Sequence, residues 1–369
     1  MGSKDHWRPD SDDEYQERSG PIIAHSKRSE TTTSIPSCQD DSDSLQKLVT
    51  LVHSATFSSI TTTFGVRDFA EIPSYQLARA KHFQTRKLVA GSGVAKYPVI
   101  YGPDGVSGMS YEAAALELRI LLHAPVRKHR NIVDILSIGW TRLAPLKPPL
   151  LPIIYVEFAP NGTLAQYLEN NALDSVDKTS LTQDIARGLQ VLHSCGITHG
   201  DLKMDNVLIF PRSDGPYPVQ AKLSDFGCSV LEDEHGTKLS GWSFPWNAPE
   251  LHKNCSPSML HLTDLYSLGL LVWSLTLNGE NPFEGQEADA IEARKVSDCV
   301  LEDAIRSIEQ HYDTCMLLRG SIDDHSRFLR YLHSVAIPRR VFQNTLGLDP
   351  TERNLQEVLE SLSLEHYYG

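Results

Sequence analysis

Apolar residues along this chain change their spacing from segment to segment, and each spacing predicts an element. Tyr111 to Leu122 sets apolar residues at helical intervals among strong helix formers, which predicts a helix. Ile153-Ile154-Tyr155-Val156 is a short continuous apolar run bounded by polar residues and predicts a buried strand. Asn161-Gly162-Thr163 reads as a turn into a helix capped by Thr163, and Thr179/Ser180 opens another that runs through His193. Two short strand candidates, Val207–Phe210 and Ala221–Leu223, border polar loops. Leu265 to Leu277 is apolar on every side, so it predicts a buried helix, too short to cross a bilayer. Polar and amphipathic helices are expected between Gly285 and Arg340, and a closing helix over Asn354–Leu364.

The N-terminal part lacks such patterns. Residues 1–44 are rich in Ser, Thr, Asp and Glu and cannot bury enough apolar surface to fold alone, so a solvated tail is expected. Leu45 to His53 has the spacing of a short amphipathic helix, and the Thr-rich Ala55–Phe64 stretch favours strand.

With 369 residues the chain has room for two globular units or one bilobal enzyme with a tail. Its formal net charge of −13 argues against nucleic acid or an anionic membrane as a main partner. The six cysteines show no C-x-x-C spacing, which suggests neither a zinc site nor a disulfide framework. A charged N-terminus and no long apolar run lead to the expectation of an intracellular, cytoplasmic protein, a monomer by default.

The chemistry gathers in His199-Gly200-Asp201-Leu202-Lys203-Met204-Asp205-Asn206. Asp201 could accept a hydroxyl proton, Lys203 could neutralise a phosphoryl group in transfer, and Asn206 could hold a metal ion. Asp225-Phe226-Gly227, behind the second short strand, supplies another acidic metal-binding candidate. His311, His325 and His333 lack metal-ligand spacing.

Together these loops resemble the catalytic and metal-binding loops of the eukaryotic protein kinase family, serine/threonine type. Ala248-Pro249-Glu250 resembles the family's activation-segment end, Asp264 onward its buried central helix, and Asp349-Pro350 through Arg353 the late motif whose arginine pairs with Glu250. The resemblance implies an α+β, bilobal protein-kinase-like fold with a small β-rich N-lobe (83–159) and a larger helical C-lobe (160–369). Residues 45–82 would be an extension or the start of the N-lobe. It further implies ATP and Mg2+ as cofactors and a protein substrate phosphorylated on serine or threonine.

Further roles follow from the same resemblance. Gly91 and Gly93 would cover the phosphates, with Lys96 on the α- and β-phosphates and Glu117, or alternatively Glu112, steadying it. Lys87 is the next lysine if Lys96 is not the one. Val156 would stand at the back of the nucleotide pocket, while the Glu157 carbonyl and the Ala159 amide would meet the adenine edge. Asp264 would accept catalytic-loop amides, and Ser243 would tie Asp201 to Lys203. The pattern departs from the family in two places: the chain between Gly91 and Lys96 is compressed, and Gly200 stands where protein kinases usually carry an arginine. His-Gly-Asp also opens the catalytic loop of small-molecule kinases of the aminoglycoside and choline phosphotransferase type. Those, and a pseudokinase or scaffold, are the alternatives. With no arginine at 200, activity is not expected to require phosphorylation of Ser229, Thr237 or Ser240; Arg187 and Lys222 are the substitute candidates if it does.

Overall fold

The computed structural model describes residues 74–79, 83–88, 93–98, 108–144, 147–213, 216–232, 239, 241–252, 256–319 and 323–363. The tail and the expectations for Leu45–His53 and Ala55–Phe64 lie outside them.

A small strand-rich lobe precedes a larger helical one. Its five-stranded antiparallel sheet has the order β1-β2-β3-β5-β4, built from β1 (Ser74–Arg79), β2 (Phe83–Leu88), β3 (Gly93–Pro98), β4 (Ile135–Ala144) and β5 (Lys147–Glu157). The sheet thus begins nine residues before residue 83, inside the stretch the sequence left open. Polarity alternates too weakly along Ser74–Arg79 and Phe83–Leu88 to announce these two strands. Helix α1 (Gly108–Leu122) lies on the sheet and buries Ala114, Leu118, Leu121 and the carboxyl-bearing Glu117. A short helix, α2 (Ala124–Arg127), follows.

In the larger lobe α3 (Leu164–Asn170) starts at a reciprocal capping box between Thr163 and Gln166. Helix α4 (Ser175–Ser194) begins four residues before the predicted Thr179. Its cap is the Asp174 carboxylate, which accepts the Asp177 amide; the hydroxyls of Thr179 and Thr182 instead bond back within the helix, to the carbonyls of Ser175 and Lys178. Short β6 (Ile197–Thr198) pairs with β9 (Val230–Leu231), and β7 (Val207–Pro211) with β8 (Val219–Leu223).

Helix α5 (His261–Thr276) is buried along nearly its whole length, as a helix with apolar residues on every side must be. Gly269 is required there: a Cβ would stand 2.4 Å from Thr345 Oγ1. Around it pack α6 (Ala288–Val296), α7 (Val300–Arg319), the π-helical turn Leu332–Ala336 that follows α8 (Asp324–Tyr331), α9 (Ile337–Gln343) and the closing α10 (Leu355–Leu362). No helix of the described residues is long and apolar enough to cross a membrane.

Candidate active site

Alternation of polarity shapes the central loop. Leu202 and Met204 are buried in the lobe core, which turns Asp201, Lys203 and Asp205 toward the other face. Val207 and Leu223 are in register on the β7–β8 hairpin, so Asn206 and Ser224 become neighbours, and the Ser224 amide donates to the Asn206 carbonyl at 2.9 Å. Asp225 follows directly. Residues nineteen apart in sequence are thereby brought to one edge.

Asp264 anchors the loop from beneath. Its carboxylate accepts the His199 amide at 2.7 Å, the Gly200 amide at 2.9 Å and His193 Nε2 at 2.9 Å. Burial pushes this carboxyl up, but His193 and the Gly200 amide more than offset that and hold it below the ordinary value. His199 Nε2 faces the Ser224 carbonyl at 3.1 Å and so carries the proton, leaving Nδ1 to accept the Asp201 amide at 3.3 Å. That ring joins the two loops. Gly200 has φ +79°, and a Cβ there would meet the Cys228 carbonyl oxygen at 2.6 Å. The residue is glycine because the backbone conformation and the neighbouring carbonyl leave no room for a side chain.

Around Asp201 the polar contacts are asymmetric. Its Oδ2 lies 3.0 Å from Lys203 Nζ and 3.2 Å from Asn206 Nδ2, whereas its buried Oδ1 has no hydrogen-bond partner among the described residues. Lys203 also donates to Ser243 Oγ at 2.6 Å. Burial lowers the Lys203 ammonium, but Asp201 outweighs it and leaves the group above its ordinary value, a firmly charged lysine.

Lys96 comes from β3 and Glu117 from α1. Their charged atoms are 2.5 Å apart, and Lys96 Nζ reaches Asp225 Oδ1 at 3.1 Å, so the cation spans both lobes. Desolvation opposes its charge, yet the two carboxylates prevail and raise it. Burial raises Glu117 to about 7, against the opposing pull of Lys96. Asp225 is lowered because Lys96 overcomes its burial. The side chain of the competitor Glu112 lies outside the described residues, as does that of Lys87.

Oxygen donors suited to a hard divalent cation are present. Asn206 spends its amide nitrogen on the Asp201 carbonyl (2.7 Å) and carboxylate, which leaves its side-chain oxygen over; Asp225 Oδ2, on a side chain 30% exposed, makes no hydrogen bond among the described residues. The residues fit magnesium.

Between the lobes, Val156 is buried in β5 opposite Val94. Glu157 Oε1 binds Lys222 Nζ at 2.5 Å and the Asp134 amide at 2.8 Å, so its side chain locks the crossover. Lys222 is therefore committed here and is no substitute for the missing arginine at position 200. The Ala159 amide has no hydrogen-bond partner among the described residues.

One expectation is corrected. Gly93 is the first residue of β3, in register with Glu157, and is a ladder residue, not part of a loop over phosphates. Gly91 lies outside the described residues, within the connection between β2 and β3. The glycines and Lys96 looked compressed because the preceding hairpin, β1–β2, contributes no glycine: Ala80-Lys81-His82 joins its strands.

Ser229 is buried and donates to the His199 carbonyl at 3.0 Å, which makes it structural; Thr237 and Ser240 lie outside the described residues. Trp242 and Trp246, on either side of Ser243–Pro245, are placed differently. Trp246 packs on the core and its carbonyl accepts Ser267 Oγ, while Trp242 is 41% exposed. Arg353 forms a two-pronged pair with Glu250, one contact at 3.1 Å, and its guanidinium lies 4.9 Å from the centroid of the Tyr266 ring.

Among the described residues no cluster of three or more His, Cys, Asp or Glu stands ready for a metal. Partners such as His193 for Asp264, the Ser224 carbonyl for His199 and Lys222 for Glu157 carried no signal in the sequence, since each joins residues far apart in the chain.

The sequence model of the Protein kinase domain matches residues 100–353, more than two thirds of the chain. The chain belongs to the protein kinase family. The match starts just after Lys96, so the first strands of this kinase's small lobe fall outside it. The kinase is similar to the serine/threonine/tyrosine-protein kinase HT1 of Arabidopsis thaliana, 34% identical over 161 residues, 42% of this chain and 37% of that protein. The probable serine/threonine-protein kinase SIS8 of Arabidopsis thaliana is 36% identical over 178 residues, 46% of this chain and 15% of its own. Fer-related kinase 1 of Caenorhabditis elegans is 28% identical over 159 residues, 43% of this chain and 37% of its own. The matched chain covers 37% or less of the length of each.

Proposed function

We propose that this kinase transfers the γ-phosphoryl group of ATP to serine and threonine hydroxyls of a protein substrate. The observation that carries the reading is the buried, unpartnered Oδ1 of Asp201 beside an Oδ2 already held by Lys203 and Asn206. A buried acceptor without a donor is costly and is satisfied by an incoming hydroxyl.

In this reading Asp201 orients the substrate hydroxyl and takes its proton as the oxygen bonds to the γ-phosphorus and the bond to the β-phosphate oxygen breaks, releasing ADP. Lys203 offsets negative charge on the group in transfer, and Ser243 keeps Lys203 in place. Lys96, steadied by Glu117, pairs with the nucleotide phosphates. Asn206 and Asp225 would hold magnesium, which supplies positive charge to the phosphate oxygens. The Ala159 amide and the Glu157 carbonyl offer the adenine edge backbone partners.

Serine and threonine are favoured by the likeness of Lys203-Met204-Asp205-Asn206 to that class of kinase, although the name of one relative includes tyrosine. A peptide rather than a small molecule suits the segment that ends in the Glu250–Arg353 pair. A second reading, a nucleotide-free scaffold, is favoured by the glycine-less Ala80-Lys81-His82 connection. Incubation with γ-labelled ATP, magnesium and a basic protein, followed by phosphoamino-acid analysis, separates these. Label on serine and threonine supports the proposal, label on tyrosine alone changes the substrate class, and no label together with no melting shift at millimolar nucleotide supports the scaffold.

A further inference from the structure

Helix α6 takes no part in the chemistry above, yet it carries a lysine that is 2% exposed. Lys295 Nζ donates to the Pro245 carbonyl, to the Asn247 carbonyl at 2.8 Å and to Asn247 Oδ1 at 3.2 Å. The faces of Phe244, Phe283 and Tyr266 surround it, their centroids 5.5, 5.8 and 6.0 Å away. Three acceptors match the three donors of an ammonium; a neutral amine has only two and would turn a lone pair toward a carbonyl. The ring faces also prefer the cation.

No carboxylate forms an ion pair with Lys295 among the described residues. Glu292, one turn earlier on α6, acts on it only through space; from α5 the Tyr266 phenol faces it, with Arg353 and Glu250 beyond that ring. Burial lowers the ammonium to about 7, so the charge is held at a cost to folding. Its acceptors all belong to one short segment. That segment turns its oxygens inward to Lys295 and leaves Trp242 and Phe244 outward, 41% and 42% exposed, on either side of Ser243, whose hydroxyl meets Lys203.

We propose that charged Lys295 is a positioning residue for the peptide substrate: by drawing Pro245 and Asn247 onto α6 it sets the height of the Trp242–Phe244 rim beside the catalytic loop. This rests on the kinase reading for its consequence, though not for the contact itself. A lysine that only supported the fold would, when replaced, lower the active fraction and leave substrate affinities alone.

Lys295→Met and Lys295→Arg are compared with the wild type in steady-state kinetics and in exchange of the backbone amides of residues 242–247, Pro245 having none. The methionine variant is expected to raise KM for a peptide substrate about tenfold with KM for ATP unchanged, and arginine to restore most of the loss. Asn247→Ala, which removes one acceptor and keeps the lysine, should move KM for peptide the same way by less. Exchange over 242–247 should quicken in Lys295→Met and stay slow in Lys295→Arg, with α10 unaffected in both. An unchanged peptide KM beside a fall in kcat, or exchange over 242–247 unaltered by methionine, overturns the proposal. A wild type that transfers no phosphate refutes the kinase reading instead, and the exchange comparison then decides by itself whether Lys295 holds the segment.

Discussion

Lys96 Nζ lies 2.5 Å from Glu117 Oε1, so a strand of the small sheet and the helix on it are joined by one charge pair that also reaches Asp225 at 3.1 Å. Lys96→Met should cut turnover on the order of a hundredfold, the scale of losing one preorganised charge at a reacting phosphate. The check is kcat at saturating peptide; undiminished turnover would hand the role to another lysine, Lys87 first.

The same pair sets a pH dependence. Burial raises the folded Glu117 carboxyl to about 7, above its ordinary value of 4.5, against the opposing pull of Lys96. The native state therefore binds more protons than the unfolded chain between about 4.5 and 7, and this group's contribution to stability falls as pH rises through that window. Glu117→Gln removes the titration. Unfolding free energies at pH 5 and pH 7 should show the variant gaining on the wild type at the higher pH.

Arg353 and Glu250 make the other closed pair. With the arginine side chain fully buried, Glu250→Ala strands a charge and should cost about 3–5 kcal/mol in denaturant unfolding. Removing both partners should cost less than the sum of the single changes.

Much of this was legible in the chain. The string from His199 to Asn206, Asp225-Phe226-Gly227, and the Glu250 and Arg353 motifs pointed to the fold and to residues that now stand within contact distance, because short loops of fixed spacing hold them. Gly93 was misread for a physical reason: a glycine three residues before a lysine looks alike whether it precedes or opens a strand, and only the β2–β3–β5 register distinguishes the two. The start of α4 was missed because Asp174 and Thr179 are both acceptable caps by residue type. Lys295 gave no signal at all, since a lysine on an amphipathic helix is ordinarily solvated.

Gly200 carries a separate expectation. At φ +79°, with the Cys228 carbonyl 2.6 Å from any Cβ, Gly200→Ala should destabilise the protein by about 1–3 kcal/mol and slow turnover by displacing the Asp201 backbone. With no side chain at 200 to pair with a phosphate, and with Ser229 buried against His199, phosphatase-treated protein should remain fully active. A large loss on dephosphorylation would show that another basic residue has taken the arginine's place.

Asp225→Ala removes an oxygen donor at the cleft and no apolar core contact. Magnesium-dependent transfer should disappear while the variant still folds cooperatively, at a lowered melting temperature because buried Lys96 loses one of its carboxylate partners, and excess chelator should abolish transfer by the wild type. Retained transfer in the variant would move the metal-binding role elsewhere.

The central claim is that Asp201 takes the hydroxyl proton, and the most direct measurement is the rate of label transfer from γ-labelled ATP to a saturating peptide in wild type and Asp201→Asn. The asparagine keeps size and polarity but cannot take the proton, so a loss of about a hundredfold or more is predicted, with the melting temperature and KM for ATP unchanged. Transfer at the wild-type rate in Asp201→Asn would contradict the account.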